Sequence, residues 1–307
     1  MNVSAPMLAP TIWRDRLRLP GSVQAVLFCC TGVLLFACMD ATIKYLAMRH
    51  DVPIIVAVRY LVNWLLLVAI VAPVRGRLLV QTQRTGLVLV RACSLAASSL
   101  LVGLALQRMP VAETTAINFL APMLVVVVAG PLLGERVGAT SWTTALIGFG
   151  GVLLIARPGS GLELTGLACA LAAVGANITY QLLSRILAST ERTTAMLFYT
   201  ALVGTIIFGM VGLWLWEGEF ATGLELVLFL SLGVYGGLGH YLFTAAYRHA
   251  PASVLAPLSY LQLVWAGLLG WLVFGHIPDW LSVIGMILIA ASGLGAAIPT
   301  RSKIAGR

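Results

Sequence analysis

Stretches of about twenty apolar residues recur from one end of this chain to the other with only short polar breaks between them, and each is long enough to cross a hydrocarbon layer roughly 30 Å thick. Ten are counted, over 22–47, 53–73, 85–106, 111–133, 140–156, 163–184, 194–216, 223–247, 252–274 and 280–298. A backbone in lipid must satisfy its own hydrogen bonds, and the alternation of barrel strands is missing, so all ten are read as helices. Only 10% of the 307 residues are charged, against roughly a quarter in a soluble domain. The expected fold is an all-α integral membrane protein in the plasma (inner) membrane. Residues 1–21 show no apolar core followed by a small-residue cleavage site, so the first segment is expected to act as an uncleaved insertion signal.

A net charge of +8 would suit nucleic acid if it were clustered, but the basic residues are scattered through short loops and read instead as topology. With the N-terminus in the cytoplasm, Arg49, Arg108 and Arg157 fall in outer loops and Lys44, Arg59 and Arg91 lie within segments, leaving the other thirteen of nineteen inside. Both termini, 1–21 and 300–307, are therefore expected in the cytoplasm. Trp142, Trp214, Trp216, Trp271 and Trp280 sit near segment ends, where amphipathic rings favour the interface, whereas Trp64 and Trp265 do not. Five cysteines all lie within segments without metal-ligand spacing and are read as packing residues.

The chain also matches itself. "LALQRMPVAETTAINFLAPMLVVVVAGPLLGE" resembles "TAAYRHAPASVLAPLSYLQLVWAGLLGWLVFGH" at a constant offset of 141, which pairs Pro110 with Pro251, Phe119 with Tyr260 and Gly134 with Gly275. A weaker match relates "DATIKYL" to "GANITYQ". Two five-helix units follow, 22–158 and 159–299. Five is odd, so the second must run through the membrane upside down, the inverted repeat on which many secondary transporters are built.

With "DATIKYLAMRHDVPIIVAVRY", "LLIARPG" closing the first half and "LAPLSYLQLVWAGLLGWLVFGHIPDWLSVIGMILIAASGL" closing the second, the chain resembles the EamA-type members of the drug/metabolite transporter superfamily over residues 22–298. The resemblance implies a basket of ten helices around a cavity lined by the first, third, fourth, sixth, eighth and ninth. It also implies a small organic solute, such as an amino acid, riboflavin, a nucleobase or S-adenosylmethionine, with many members being exporters.

Charge inside the membrane costs about 2.5–3.5 kcal/mol at mid-depth, so Asp40, Lys44 and Arg59 need a reason. Lys44 is expected to snorkel to the outer interface. Asp40 lies one turn deeper on the same face, and Arg59 enters the second segment at similar depth. Two readings stand: an ion cluster locking the first two helices, or Asp40 and Arg59 facing the cavity to hold a zwitterion, with Asp40 able to carry a coupling proton. Their counterparts in the second repeat, Gly175 and Tyr199, carry no charge. Arg91 is placed near the cytoplasmic side, paired with a lipid phosphate or with Glu135.

Further candidates for substrate contact are Ser94 and Ser98 on the third segment, read equally as small packing residues, and Asn118 beside Pro122 on the fourth. Asn177 and Tyr180 on the sixth, Tyr235 and His240 on the eighth, and Tyr260, Gln262 and Trp265 with Pro257 on the ninth complete the set. Prolines inside a span free a backbone carbonyl or merely bend the helix. The glycines at 233, 236, 237 and 239 suggest close packing or a hinge. Together these residues describe an apolar, aromatic cavity with a few donors and acceptors, suited to an amphipathic solute rather than an ion.

No G-x-S-x-G, H-E-x-x-H, C-x-x-C or Walker loop is present, so the chain is not expected to be an enzyme, to use ATP directly or to hold a cofactor. Ser99 and His240, equivalent under the offset, are the one pair that a hydrolase reading has. The expected partners are a small-molecule substrate and the bilayer, not nucleic acid, and a single chain is expected to suffice. The function read from the sequence is export of amino acids or related metabolites by alternating access. Uptake of riboflavin-, nucleobase- or S-adenosylmethionine-like solutes is the alternative, and a lipid flippase or scaffold belongs to a different class.

Overall fold

A computed structural model of the chain describes residues 21–133, 139–157, 161–216, 222–246, 255 and 258–297. Everything regular among them is helical: α1 (Gly21–Leu46), α2 (Val52–Arg75) with a 3-10 turn (Gly76–Leu79), α3 (Thr85–Arg108), α4 (Val111–Asn118), α5 (Leu120–Leu133), α6 (Ala139–Ile155), α7 (Leu164–Leu187), α8 (Thr193–Leu215), α9 (Gly223–Ala246), α10 (Leu261–Phe274) and α11 (Trp280–Ala297). Six of them, α1, α2, α3, α7, α8 and α9, are long and apolar enough to cross a membrane, while the apolar stretches 111–125, 142–155, 261–274 and 280–292 are shorter. The protein is inside out in the manner of a membrane bundle, with Ile70, Leu213 and Leu226 exposed and Trp142, Trp214, Trp216, Trp271 and Trp280 all exposed near helix ends.

The expectation of a continuous helix over 111–133 is corrected by a break at Phe119, where α4 stops and α5 begins at Leu120. Pro122 supplies the reason, since it has no N–H to offer the carbonyl four residues earlier and its ring crowds that turn. A corresponding break precedes α10: Tyr260 is a turn residue and the helix starts at Leu261. Leu120 and Leu261 stand 141 apart, so both repeats interrupt the same helix at the same place.

Packing follows the same symmetry. Neighbouring pairs include α3 with α7, α1 with α9, α2 with α8, α6 with α11 and α4 with α10. Exchanging the two halves turns the first pair into the second and leaves the other three unchanged, as a twofold axis between repeats requires. Gly151 of α6 and Gly285 of α11 meet at such a crossing, where a Cβ on either would come within 2.6 Å of the other's carbonyl oxygen. The glycine face of α9 serves packing too, as the sequence suggested: Gly233 lies on Val62, Gly236 faces Met39, and Gly239 lies on Phe36.

Overpacking a crossing that already has backbone against backbone typically costs 1–3 kcal/mol. Gly285→Leu is therefore expected to lower the thermal midpoint of detergent-purified protein by several degrees. Gly150→Leu, whose Cβ would meet nothing within 4 Å, is expected to leave it unchanged in the same melting experiment.

Candidate functional site

Three polar layers occupy the bundle. At one end the connections α1–α2, α3–α4, α6–α7 and α10–α11 and the start of α9 are clasped together through described residues. Arg49 pairs with Glu225 at 3.3 Å, Arg108 with Glu163 at 3.3 Å, and Arg157 with Asp279 at 3.0 Å. Glu113, at the start of α4 and almost fully buried, accepts or donates across 3.0 Å to His276 Nε2. Gly275 makes this possible, because its left-handed backbone (φ 66°) ends α10 and turns the chain back. Hydrogen bonding from the Ser282 backbone N–H, with help from Arg157, holds the Asp279 carboxyl below the usual carboxylate range.

Lys44 belongs to this clasp, contrary to the expectation that it snorkels. Its Nζ donates to the carbonyls of Leu106 at 2.9 Å and Met109 at 2.8 Å, with Phe274 beneath it at 5.5 Å. A helix C-terminus such as that of α3 leaves carbonyls without partners and carries partial negative charge, so a cation within reach turns inward. Gln107 Nε2 reciprocates by donating to the Ala47 carbonyl at 3.0 Å. The proposed three-residue ion cluster does not form: neither Lys44 nor Arg59 comes within 4 Å of a carboxylate among the described residues.

The middle layer is built where α4 and α10 meet α1, with Arg59 of α2 beside α1 at Met39. Asp40 on α1 is only 9% exposed and accepts a hydrogen bond from Gln262 Nε2 of α10 at 3.3 Å. The Thr115 hydroxyl of α4 faces the same carboxylate without completing a well-formed bond. Arg59 on α2 is half-buried, next to the Tyr60 ring at 4.9 Å, and among the described residues its one hydrogen-bond contact is a long 3.8 Å approach to Met39 Sδ. Phe119 and Tyr260, the symmetry equivalents at the two helix breaks, touch with ring centroids 4.9 Å apart. Four buried polar atoms here and on the neighbouring faces make no well-formed hydrogen bond among the described residues: Thr115 Oγ1, Asn118 Oδ1, Trp64 Nε1 and Trp265 Nε1. An unpaired buried polar atom costs about 1–3 kcal/mol, and a solute with matching groups would relieve it.

The third layer centres on Arg91 of α3. The sequence placed it against lipid or Glu135. It is instead buried, with Nε donating to Ser184 Oγ at 2.7 Å, NH1 to Thr200 Oγ1 at 3.0 Å and NH2 to Tyr180 OH at 3.0 Å. The Tyr180 ring lies under the guanidinium at 4.5 Å. Residue 135 is outside the described residues, and these neutral acceptors from α7 and α8 already engage most of the fork.

Of the sequence candidates, the structure joins Asp40 of α1 to Gln262 of α10, sets Tyr260 just before α10 against Phe119, and carries Arg59, Asn118 and Trp265 on α2, α4 and α10. It places the others differently. Tyr180 belongs to the Arg91 layer, Asn177 accepts from Gln181 at 3.3 Å, and Ser98 donates to the Ala173 carbonyl at the α3–α7 contact. Ser94 donates to its own helix at Val90. His240 is accessible, with its ring 4.8 Å from Phe36, and Tyr235 is half-buried. Pro257 lies outside the described residues. Ser99 bonds Tyr60 OH at 2.9 Å, so neither Ser99 nor His240 forms half of a hydrolytic pair. Thr115 and Glu113 escaped the sequence reading. A carboxylate inside an apolar segment, as at Glu113, was the available signal. Among the described residues no three His, Cys, Asp or Glu side chains gather as metal ligands would.

The model of the EamA-like transporter family matches this chain twice, over residues 23–157 and 164–297. The chain belongs to that family. It is a transporter of small molecules in the inner membrane, crossing it several times, and not an enzyme. Its relatives include the riboflavin transporter of Rhizobium johnstonii, 31% identical over 194 residues that make up 62% of each chain. The pseudopaline exporter CntI of Pseudomonas aeruginosa is 29% identical over 196 residues, 61% of this chain and 66% of that one. A solved crystal structure covering 89% of this chain and 96% of its own shares the fold at a TM-score of 0.63 and 20% identity.

Arg91 ties three helices by hydrogen bonds to a charged donor, each worth about 1.5–3 kcal/mol. Arg91→Ala is expected to destabilise the protein by at least about 2 kcal/mol in a denaturant or thermal titration, and Arg91→Lys, which has no fork to span the three helices, to recover less than half of that.

Proposed function

We propose that this transporter exports small organic metabolites, foremost amino acids and related compounds, by alternating access around the Asp40–Gln262 layer, with a single chain sufficing. The observation that carries the proposal is the meeting of two interrupted helices at Phe119 and Tyr260 beside a buried carboxylate, with polar atoms of Thr115, Asn118 and Trp265 left unpaired. Interrupted helices at corresponding places in two repeats mark the substrate site of many carriers, since irregular backbone at membrane depth is tolerated only where it lines a cavity or is buried in protein. Ten crossings and cytoplasmic termini complete the reading. The clasped face then lies outside, and the solute is taken up from the opposite, cytoplasmic face once the contacts of Glu191 with Gln83 and Arg84 there part.

A second reading, uptake of a flat aromatic solute, draws on the Phe119–Tyr260 contact and Trp265, which would sandwich a ring system, and on the riboflavin transporter among the relatives.

The test is a thermal-shift screen of purified protein against amino acids, nucleobases, riboflavin and S-adenosylmethionine, followed by flux measurements in proteoliposomes with each face outward. Stabilisation by amino acids, and flux that starts from the cytoplasmic face, is the expected outcome, whereas stabilisation by riboflavin alone would establish the second reading. Asp40→Asn is expected to cut transport at least tenfold at an unchanged yield of folded protein. Loss of folded protein, with survivors transporting normally, would make Asp40 a structural lock.

The clasp yields its own expectation. In a background with the five native cysteines replaced, cysteines at positions 49 and 225 joined by a short bifunctional thiol reagent should halt flux, and reduction of a cleavable linker should restore it. Undiminished flux in the linked protein would mean that this face does not open.

A further inference from the structure

Among the described residues, the buried or half-buried acidic and strongly basic side chains from below the clasp to the Arg91 layer are Asp40, Arg59 and Arg91. Lys44 and Glu113 lie nearer the clasp, where Lys44 is taken up by the end of α3 and Glu113 by His276. Among the described residues the interior therefore holds two permanent cations and one carboxylate. Arg91 is anchored, but only by neutral acceptors, so its hydrogen bonds are satisfied and its charge is not. His240, which stands in the field of both arginines, has no negative form to offer.

Arg59 is where the excess can be answered. A guanidinium has five N–H donors in a planar fork that matches a carboxylate through two parallel hydrogen bonds. Four of those donors have no partner among the described residues, and the fifth meets only a thioether. The side chain is half-buried between Met39 and Tyr60, and Tyr60 is fixed from behind by Ser99 and by Phe208, whose ring stacks on it at 6.0 Å. An arginine left this open inside a membrane bundle is poised for an anion that arrives and leaves. Asp40, by contrast, already accepts from Gln262 and retains capacity for one more donor.

We infer that Arg59 binds a carboxylate of the transported solute in bidentate fashion, so that the carrier takes zwitterionic and anionic acids and rejects the amines and amides that lack the acid group. The inference rests on the central site proposed above and adds to it which charge the solute must carry and which residue reads it. A solute ammonium, where present, faces Asp40. With two fixed cations against one carboxylate, acidic amino acids are preferred to basic ones.

The experiment uses full-length protein in detergent, with the twenty amino acids and, for each that binds, its amide and its decarboxylated amine as matched probes. The expected result is that at least one acid stabilises the protein while its amide and amine bind at least tenfold more weakly. Arg59→Gln should abolish that preference, and Arg59→Lys, with charge but no fork, should retain part of it. Equal binding of acid and amide, or an undiminished preference in Arg59→Gln, would overturn the carboxylate site and leave the central site standing. Binding of riboflavin or a nucleobase with no acid bound would overturn the carboxylate site and the amino-acid reading together. Stabilisation by chloride or inorganic phosphate alone would make Arg59 a resident-ion site and sink the inference as well. The wild-type comparison of acid with amide decides the matter even if a variant fails to fold.

Discussion

Hydrocarbon accepts no hydrogen bond, and the arrangement of this protein depends on that. Where the chain is a continuous helix the backbone is self-sufficient and the surface can be apolar. Where it is not, something in the protein has to complete the bonding. The two interruptions, at Phe119 and ahead of Leu261, are brought against each other on α4 and α10 rather than left facing lipid. The ionised side chains obey the same rule: Lys44 is taken up by the end of α3, Arg91 by hydroxyls of α7 and α8, and Asp40 by an amide from α10. Arg59 is the exception, and exceptions to such a rule belong at sites that a ligand completes.

The distribution of these contacts separates what holds the molecule from what it uses. The ion pairs of the clasp sit at helix ends and in loops, each with at least one partly exposed partner, and solvent-exposed pairs are worth at most about 1 kcal/mol. Bonds of that strength suit the closure that the proposed cycle would open. The Arg91 layer is buried and multiply bonded, and it ties α3 of the first repeat to α7 and α8 of the second. Weak contacts at one end and strong ones deeper in the bundle thus both run between the two halves.

Much of this was legible in the sequence. The apolar segments, the 141-residue offset and the pairing of Phe119 with Tyr260 all follow from pattern, because periodic hydrophobicity and internal similarity are local properties. Pro122 announced an interruption but not that its equivalent near Tyr260 would lie against it. The partners of Lys44, Arg91 and Glu113 were hidden for a common reason: each depends on a residue 62 to 163 positions away, and spacing along the chain is silent on such distances. Lys44 misled because an aliphatic stem ending in a cation fits the interface equally well. Only the position of the α3 terminus tells that it turns inward.

The contact between Phe119 and Tyr260 has one more implication. Residues that are each other's equivalents touch only beside the axis relating the two halves, so the central layer sits on that axis. In a dimer of identical subunits any charge placed there would occur twice, and the interior would present the same pole from both directions. Joining the halves in one chain removes that obligation. Asp40 and Arg59 need not recur opposite Gly175 and Tyr199, and a nearly symmetrical container is free to hold a cargo that has a head and a tail.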